Sequence, residues 1–134
     1  MKKRVKSKLM NKTKLSCVLA VLCAAASVFA TDYYVNTNGG VDDTAEGRGR
    51  SVELPYATIG YALGKATTSG DRVFVAEGTY QERNLTVAGG VGLIATGRRD
   101  YTAIDANANA ENTARCISSL SANAYVKGFT LRNG

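Results

Sequence analysis

The sequence predicts an all-β chain: short strands wound as a parallel coil, with one short helix placed ahead of them. Three observations carry that expectation. From Arg72 onward apolar centres recur at intervals of roughly 8 to 13 residues, at Phe74, Leu85 to Val87, Leu93–Ile94, Ile104, Ile117 and Val126 to Leu131. Between them lie corner residues, among them Gly89–Gly90, Asp105–Ala106–Asn107 and Asn133–Gly134. That spacing also suits a β-sandwich, so the other two observations decide. Two-residue hairpin turns are absent from the strand region, and a single stretch of helical period precedes it. A leucine-rich repeat is disfavoured because its dense Leu pattern is missing.

The first thirty residues stand apart from this pattern. Lys2, Lys3, Arg4, Lys6, Lys8, Lys12 and Lys14 form a basic front, Leu15 to Phe29 an apolar run of 15 residues, and Val28–Phe29–Ala30 a small-x-small cleavage site. Residues 1–30 therefore read as a secretory signal peptide cleaved after Ala30, with translation starting at Met1 or Met10. The apolar run is too short for an ordinary membrane span and has no basic flank behind it, so no span is expected in the mature chain. Leu22 before Cys23 is too bulky for lipoprotein processing.

Removing this segment reverses the charge balance. Seven of the 17 Lys and Arg precede residue 31, which leaves ten against 11 Asp and Glu and a mature net charge of about −1. Nucleic-acid binding, which needs clustered basic residues on a folded surface, loses its support; Arg98–Arg99 is an isolated pair at a corner. Cys17 and Cys23 leave with the segment, so Cys116 has no intrachain partner and is expected to be a buried small hydrophobe rather than a reactive thiol. The chain has no His, which excludes a His-based triad and the usual zinc sites.

The mature elements follow in order. Asp32 to Asn36 (DYYVN) alternates as an edge strand. Thr37 to Ser51, with four Gly and no apolar period, is a loop; its Asp42, Asp43 and Glu46 lack the alternating spacing of a calcium loop and read as solvated. In Pro55 to Ala66, Ile59, Ala62, Leu63 and Ala66 fall on one helical face, with Thr58 as N-cap and Ser69–Gly70 as the stop. A helix is expected over about 56–66. Gly60 and Gly64 each cost such a helix about 1 kcal/mol relative to Ala, so it forms only if its apolar face is docked. In Gly70 to Val87, Val73 with Val75 and Leu85 with Val87 are two alternating runs, joined by a corner at Glu77–Gly78–Thr79–Tyr80. A hairpin fits that spacing, as does one side of a parallel coil, and the downstream sequence favours the coil. At about two intervals per turn, three to four coils are expected before Gly134.

GDRVFVAEGTYQE, preceded by PYATIGYALGKA and followed by GVGLIATG and VKGFTLRNG, resembles the start of a right-handed parallel β-helix protein. The resemblance is to the pectate-lyase-like superfamily, and within it to bacterial secreted surface proteins with polymorphic outer-membrane-type repeats. It covers about Asp32 to Gly134. It implies a solenoid whose N-terminal end is plugged by the short helix, which hides the apolar interior and the first unpaired strand. Residues 31–134 are then the N-terminal part of a β-helix domain, incomplete at the C-terminus, with further coils expected to follow.

Fold of this kind leaves activity open. Lyases on it use a basic residue to take a proton beside a uronate carboxylate, helped by a cation; Lys127, Arg132, Arg98 and Arg99, with Asp100 or Asp105 as cation ligands, are candidates that no motif supports. A carboxylate dyad of Asp100 and Asp105 is disfavoured because five-residue spacing on a strand aims them at opposite faces. Tyr33, Tyr34, Tyr56, Tyr61, Tyr80, Tyr101 and Tyr125 can serve as sugar-stacking platforms or as packing at coil edges. No catalytic, cofactor-binding or metal site is assigned. The expected function is a non-enzymatic module of a secreted or cell-surface protein, engaged in adhesion or in binding polysaccharide or cell-surface glycans. The rival is the first part of a polysaccharide lyase or other carbohydrate-active enzyme whose catalytic coils lie elsewhere.

Overall fold

The computed structural model describes residues 29–134. The basic front, both start positions, Cys17, Cys23 and nearly all of the expected export segment lie outside them. The described chain runs through β1 (Asp32–Val35), helix α1 (Ile59–Lys65), β2 (Arg72–Val75), β3 (Gly78–Tyr80), β4 (Leu85–Val87) and β5 (Gly92–Ala95). It continues through a 3-10 turn (Arg99–Tyr101), β6 (Thr102–Asp105), β7 (Ile117–Leu120), β8 (Tyr125–Lys127) and β9 (Thr130–Arg132).

The strands form three sheets in the orders β1-β2-β5-β8, β3-β6-β9 and β4-β7. Every one of these pairs is parallel. The three-strand unit β2-β3-β4 thus recurs as β5-β6-β7, each strand lying beside its counterpart, and β8-β9 begins the pattern again. Parallel pairing of this kind excludes the hairpin between Val73–Val75 and Leu85–Val87, since β2 and β4 belong to different sheets.

Alternation places one side of each strand in a common core. Val73, Val75, Tyr80, Leu85, Val87, Leu93 and Ile104 are buried there, while Arg72, Thr79 and Thr86 point outward. Asp71 is buried at the entry to β2. Its two carboxylate oxygens accept from Thr31 N at 2.7 Å and Thr68 N at 2.9 Å, tying the start of β1 to the end of the helical segment.

Helix α1 packs on β1, β2 and β4 with Ile59, Ala62 and Leu63 buried, and Ala66 buried just after it. A helix of seven residues is marginal in water alone, so this docked face holds it. Its N-terminal donors are all engaged. Thr58 Oγ1 accepts from Tyr61 N at 3.3 Å, and Glu82, from the β3–β4 connection, accepts from Ile59 N at 2.8 Å and Gly60 N at 2.7 Å. No helix among the described residues is long and apolar enough to cross a membrane.

Two boundaries differ from the sequence expectation. The helix begins at Ile59 rather than near Tyr56, and ends at Lys65 with Ala66 as C-cap, before Ser69–Gly70. Tyr56 is extended because it pairs with β1: its N–H donates to Tyr34 O at 2.8 Å and its carbonyl accepts from Asn36 N at 2.9 Å. The expected corner at Glu77 to Tyr80 is mostly strand β3, paired with β6. Gly78 is required there by close approach, since a Cβ would collide with the Thr37 methyl group.

Candidate functional site

The outer face of the four-stranded sheet collects side chains from four separated stretches. Register sets Asp32, Arg72, Gly92 and Tyr125 in one outward row, and Tyr34, Phe74, Ile94 and Lys127 in the next. Tyr34 and Phe74 stack with ring centroids 5.6 Å apart and planes 27° apart. The Arg72 guanidinium lies 5.2 Å from the Phe74 ring centre. It also donates twice to Asp32, from Nε and Nη2, each at 2.7 Å.

Tyr125 completes the strip. Gly92 has no side chain to fill its outward position, and the Tyr125 ring occupies that space so closely that a Cβ on Gly92 would overlap it. Arg72 is held above its ordinary pKa, chiefly by its hydrogen bond to Asp32, with smaller contributions from the nearby Tyr125 and Tyr34. Tyr34, Phe74 and Ile94 are each half-buried, and Tyr125 is 45% exposed. Beside Tyr34 and Phe74 opens a hollow of about 160 Å³, whose walls include Val52, Pro55, Asn36 and Thr96.

The other tyrosines serve packing or isolated surface positions. Tyr33, Tyr56 and Tyr61 form a cluster against the core, with Tyr56 and Tyr61 centroids 4.9 Å apart and Tyr33 and Tyr56 6.4 Å apart. Burial pushes the Tyr56 hydroxyl up, as it does that of Tyr80. Tyr80 Oη donates to Ala76 O at 3.0 Å and accepts from Thr37 N at 3.3 Å. Tyr101 stands exposed with the Arg98 guanidinium 5.0 Å from its ring centre.

The lyase candidates do not converge. Lys127 is on β8, whereas Arg132 is on β9, in a different sheet. Arg132 Nε donates to Asp105 Oδ2 at 3.0 Å, directly across the β6–β9 pair. Asp105 is held below the usual carboxylate range, first by the Asn133 side chain, then by Asn107 N and Arg132. Asp100 lies in the 3-10 turn, exposed, with Arg98 Nη2 at 3.7 Å, while Arg99 is exposed in the same turn. Asp105 alone of the two carboxylates is on strand β6.

The loop carboxylates have structural partners. Asp42 accepts from Ala57 N at 2.8 Å and Thr58 Oγ1 at 2.6 Å, bracing the approach to α1. Asp43 accepts from Arg48 Nε at 2.9 Å and Ala45 N at 3.1 Å, and these bonds lower its pKa, Arg48 first. Glu46 is exposed. No group of three or more His, Cys, Asp or Glu among the described residues is arranged to hold a metal ion. Cys116 is buried just before β7, its Sγ within 3.3 Å of the Ile104 and Arg132 carbonyl oxygens.

Phe74 was not among the residues expected at a site. Its signal was its phase: it lies between Val73 and Val75, so if they are buried it must face outward. No protein-family model, curated protein or solved structure matches this chain.

Proposed function

We propose that this chain is an exported, non-catalytic module built as a right-handed parallel β-helix, whose outer face binds glycans at the Tyr34–Phe74–Tyr125 strip. In this reading residues 1–30 direct export, the three sheets are the three sides of one coil stack, and α1 covers its first turn. The recurrence of β2-β3-β4 as β5-β6-β7, each strand parallel to its counterpart, supports the coil.

The single observation that carries the binding role is the pairing of aromatic surface with a planar hydrogen-bonding group on one outward face. A pyranose ring presents apolar C–H faces and a rim of hydroxyls. The outward edges of the partly buried Tyr34 and Phe74 meet the former, and the Asp32–Arg72 pair, held in two 2.7 Å bonds, offers acceptor and donor edges to the latter. Outward aromatic rings beside a polar pair give a flat surface on which the apolar face of a sugar can stack.

The test is calorimetric titration of the chain with neutral oligosaccharides. Tyr34→Ala removes one ring and is expected to weaken binding about tenfold, the equivalent of one aromatic contact. Tyr101→Ala, on a different surface, is expected to leave it unchanged. Equal affinity of parent and Tyr34→Ala, or no binding by the parent to any oligosaccharide, overturns the reading.

A further inference from the structure

We propose that the hollow beside Tyr34 and Phe74 is an acetamido subsite, so that the strip selects N-acetylated hexoses over plain ones. This deepens the glycan-binding reading and rests on it. At about 160 Å³ the hollow is roughly half the smallest ordinary ligand pocket, yet comparable with an apolar cavity that accepts a benzene-sized group. It admits a substituent, not a whole sugar ring.

The lining then selects the substituent's chemistry. Val52, Pro55 and the two aromatic rings give apolar walls suited to a methyl group. No charged residue lines the hollow, so a carboxylate or ammonium group would be desolvated there without a partner. Besides the Tyr34 phenol, the polar residues lining it are Asn36 and Thr96, and their existing bonds leave complementary valences. Asn36 Oδ1 already accepts from Asn38 N at 2.8 Å, which leaves the Asn36 NH2 group to donate to an amide carbonyl. Thr96 Oγ1 already donates to Val75 O at 3.1 Å, which leaves its lone pairs to accept from an amide N–H. An acetamido group supplies that carbonyl, that N–H and that methyl together. An acetyl ester lacks the N–H, and a hydroxyl lacks the methyl.

The position fits the same ligand. The hollow shares Tyr34 and Phe74 with the strip, so a sugar lying on the strip has a ring substituent directed into it. Val52 is 65% exposed and lies on a loop, so changes there leave the core intact.

The experiment titrates the full chain with three hexasaccharides that differ only in the C2 substituent of each ring: chitohexaose, cellohexaose and fully deacetylated glucosamine hexamer. Chitohexaose is expected to bind at least about tenfold more tightly than the other two, since the amine places a cation where the hollow offers no partner. Asn36→Asp keeps the acceptor for Asn38 N but removes the donor, and Val52→Phe fills the hollow. Each is expected to abolish the preference, bringing the chitohexaose-to-cellohexaose affinity ratio to about one. If chitohexaose and cellohexaose bind equally, and Tyr34→Ala weakens both, the acetamido assignment is wrong and the strip reading survives. If none of the three binds, both are wrong.

Discussion

Replacing Leu63 by Asp tests whether helix α1 is docked as the fold requires. Leu63 is 7% exposed on the face that packs against β4 and its neighbours. Losing that burial removes about 1.5–3 kcal/mol, and an unpaired carboxyl in its place adds a penalty that reaches about 3–5 kcal/mol when the group stays charged. Protonation relieves part of the second cost, so a net loss of about 4 kcal/mol is expected. Against a typical domain stability of about 5–15 kcal/mol this is a large fraction. At roughly 4–8 °C per kcal/mol for a domain of this size, the melting temperature should fall by more than about 15 °C.

The neighbouring residue supplies the control. Gly64 is exposed on the same helix, and a Cβ there would meet nothing within 4 Å, so Gly64→Ala should gain about 1 kcal/mol of helix propensity. Thermal melting by circular dichroism reads both, and opposite signs at adjacent positions separate packing from propensity. A Leu63→Asp variant melting with the parent would show that the apolar face of α1 is not buried.

Two further measurements follow from named groups. Burial raises the pKa of Glu82 above its ordinary value against the opposing bonds from Gly60 and Ile59, so its contribution to stability is present below about pH 4.5 and lost as pH rises through the folded-state value. Glu82→Gln should therefore gain stability relative to the parent as pH rises toward 7 in urea titrations, and a constant difference would contradict the shift. Asp105 and Asp43 have the opposite sign: their lowered values give stability above the usual carboxylate range that is lost on acidification, so Asp105→Asn should flatten the acid limb. Cys116 should resist iodoacetamide in native buffer and alkylate fully in denaturant, as read by peptide mass spectrometry; native labelling at the unfolded rate would mean that the thiol is not buried.

The strands that sequence made legible are those whose apolar residues alternate with polar or outward ones. Val73 and Val75, then Leu85 and Val87, show period two, and all four are buried. The helical face was equally plain, because Ile59, Ala62, Leu63 and Ala66 return every three or four residues and all four are buried. Strand β3 was not legible. Unlike the equally short Leu85–Thr86–Val87, it has no apolar residue on either side of a polar one, and Gly78 between Glu77 and Thr79 has the composition of a turn. What makes it a strand is its parallel partner β6, more than twenty residues later. The early start assigned to the helix failed for the same reason: Tyr56 is held extended by Tyr34 and Asn36, a contact that local propensity does not contain.

The Tyr34–Phe74–Tyr125 strip lay further from view because it depends on register as well as phase. Phase assigns Tyr34 and Phe74 to outward positions, but only the pairing Tyr34↔Phe74↔Ile94 makes them neighbours, across stretches separated by forty and twenty residues. Composition offered seven tyrosines as equivalent, and packing removed four of them, since Tyr33, Tyr56, Tyr61 and Tyr80 lie in or against the core. Among the remaining three, Tyr101 stands with an arginine alone, whereas Tyr125 shares the row that holds Arg72 and Tyr34 lies in the next. The outward rows carry no packing requirement, so aromatic side chains there are not explained by the core. The stacked Tyr34 and Phe74 rings strengthen the β1–β2 pairing from its outer side, and the proposed glycan-binding role asks whether they also meet a ligand there.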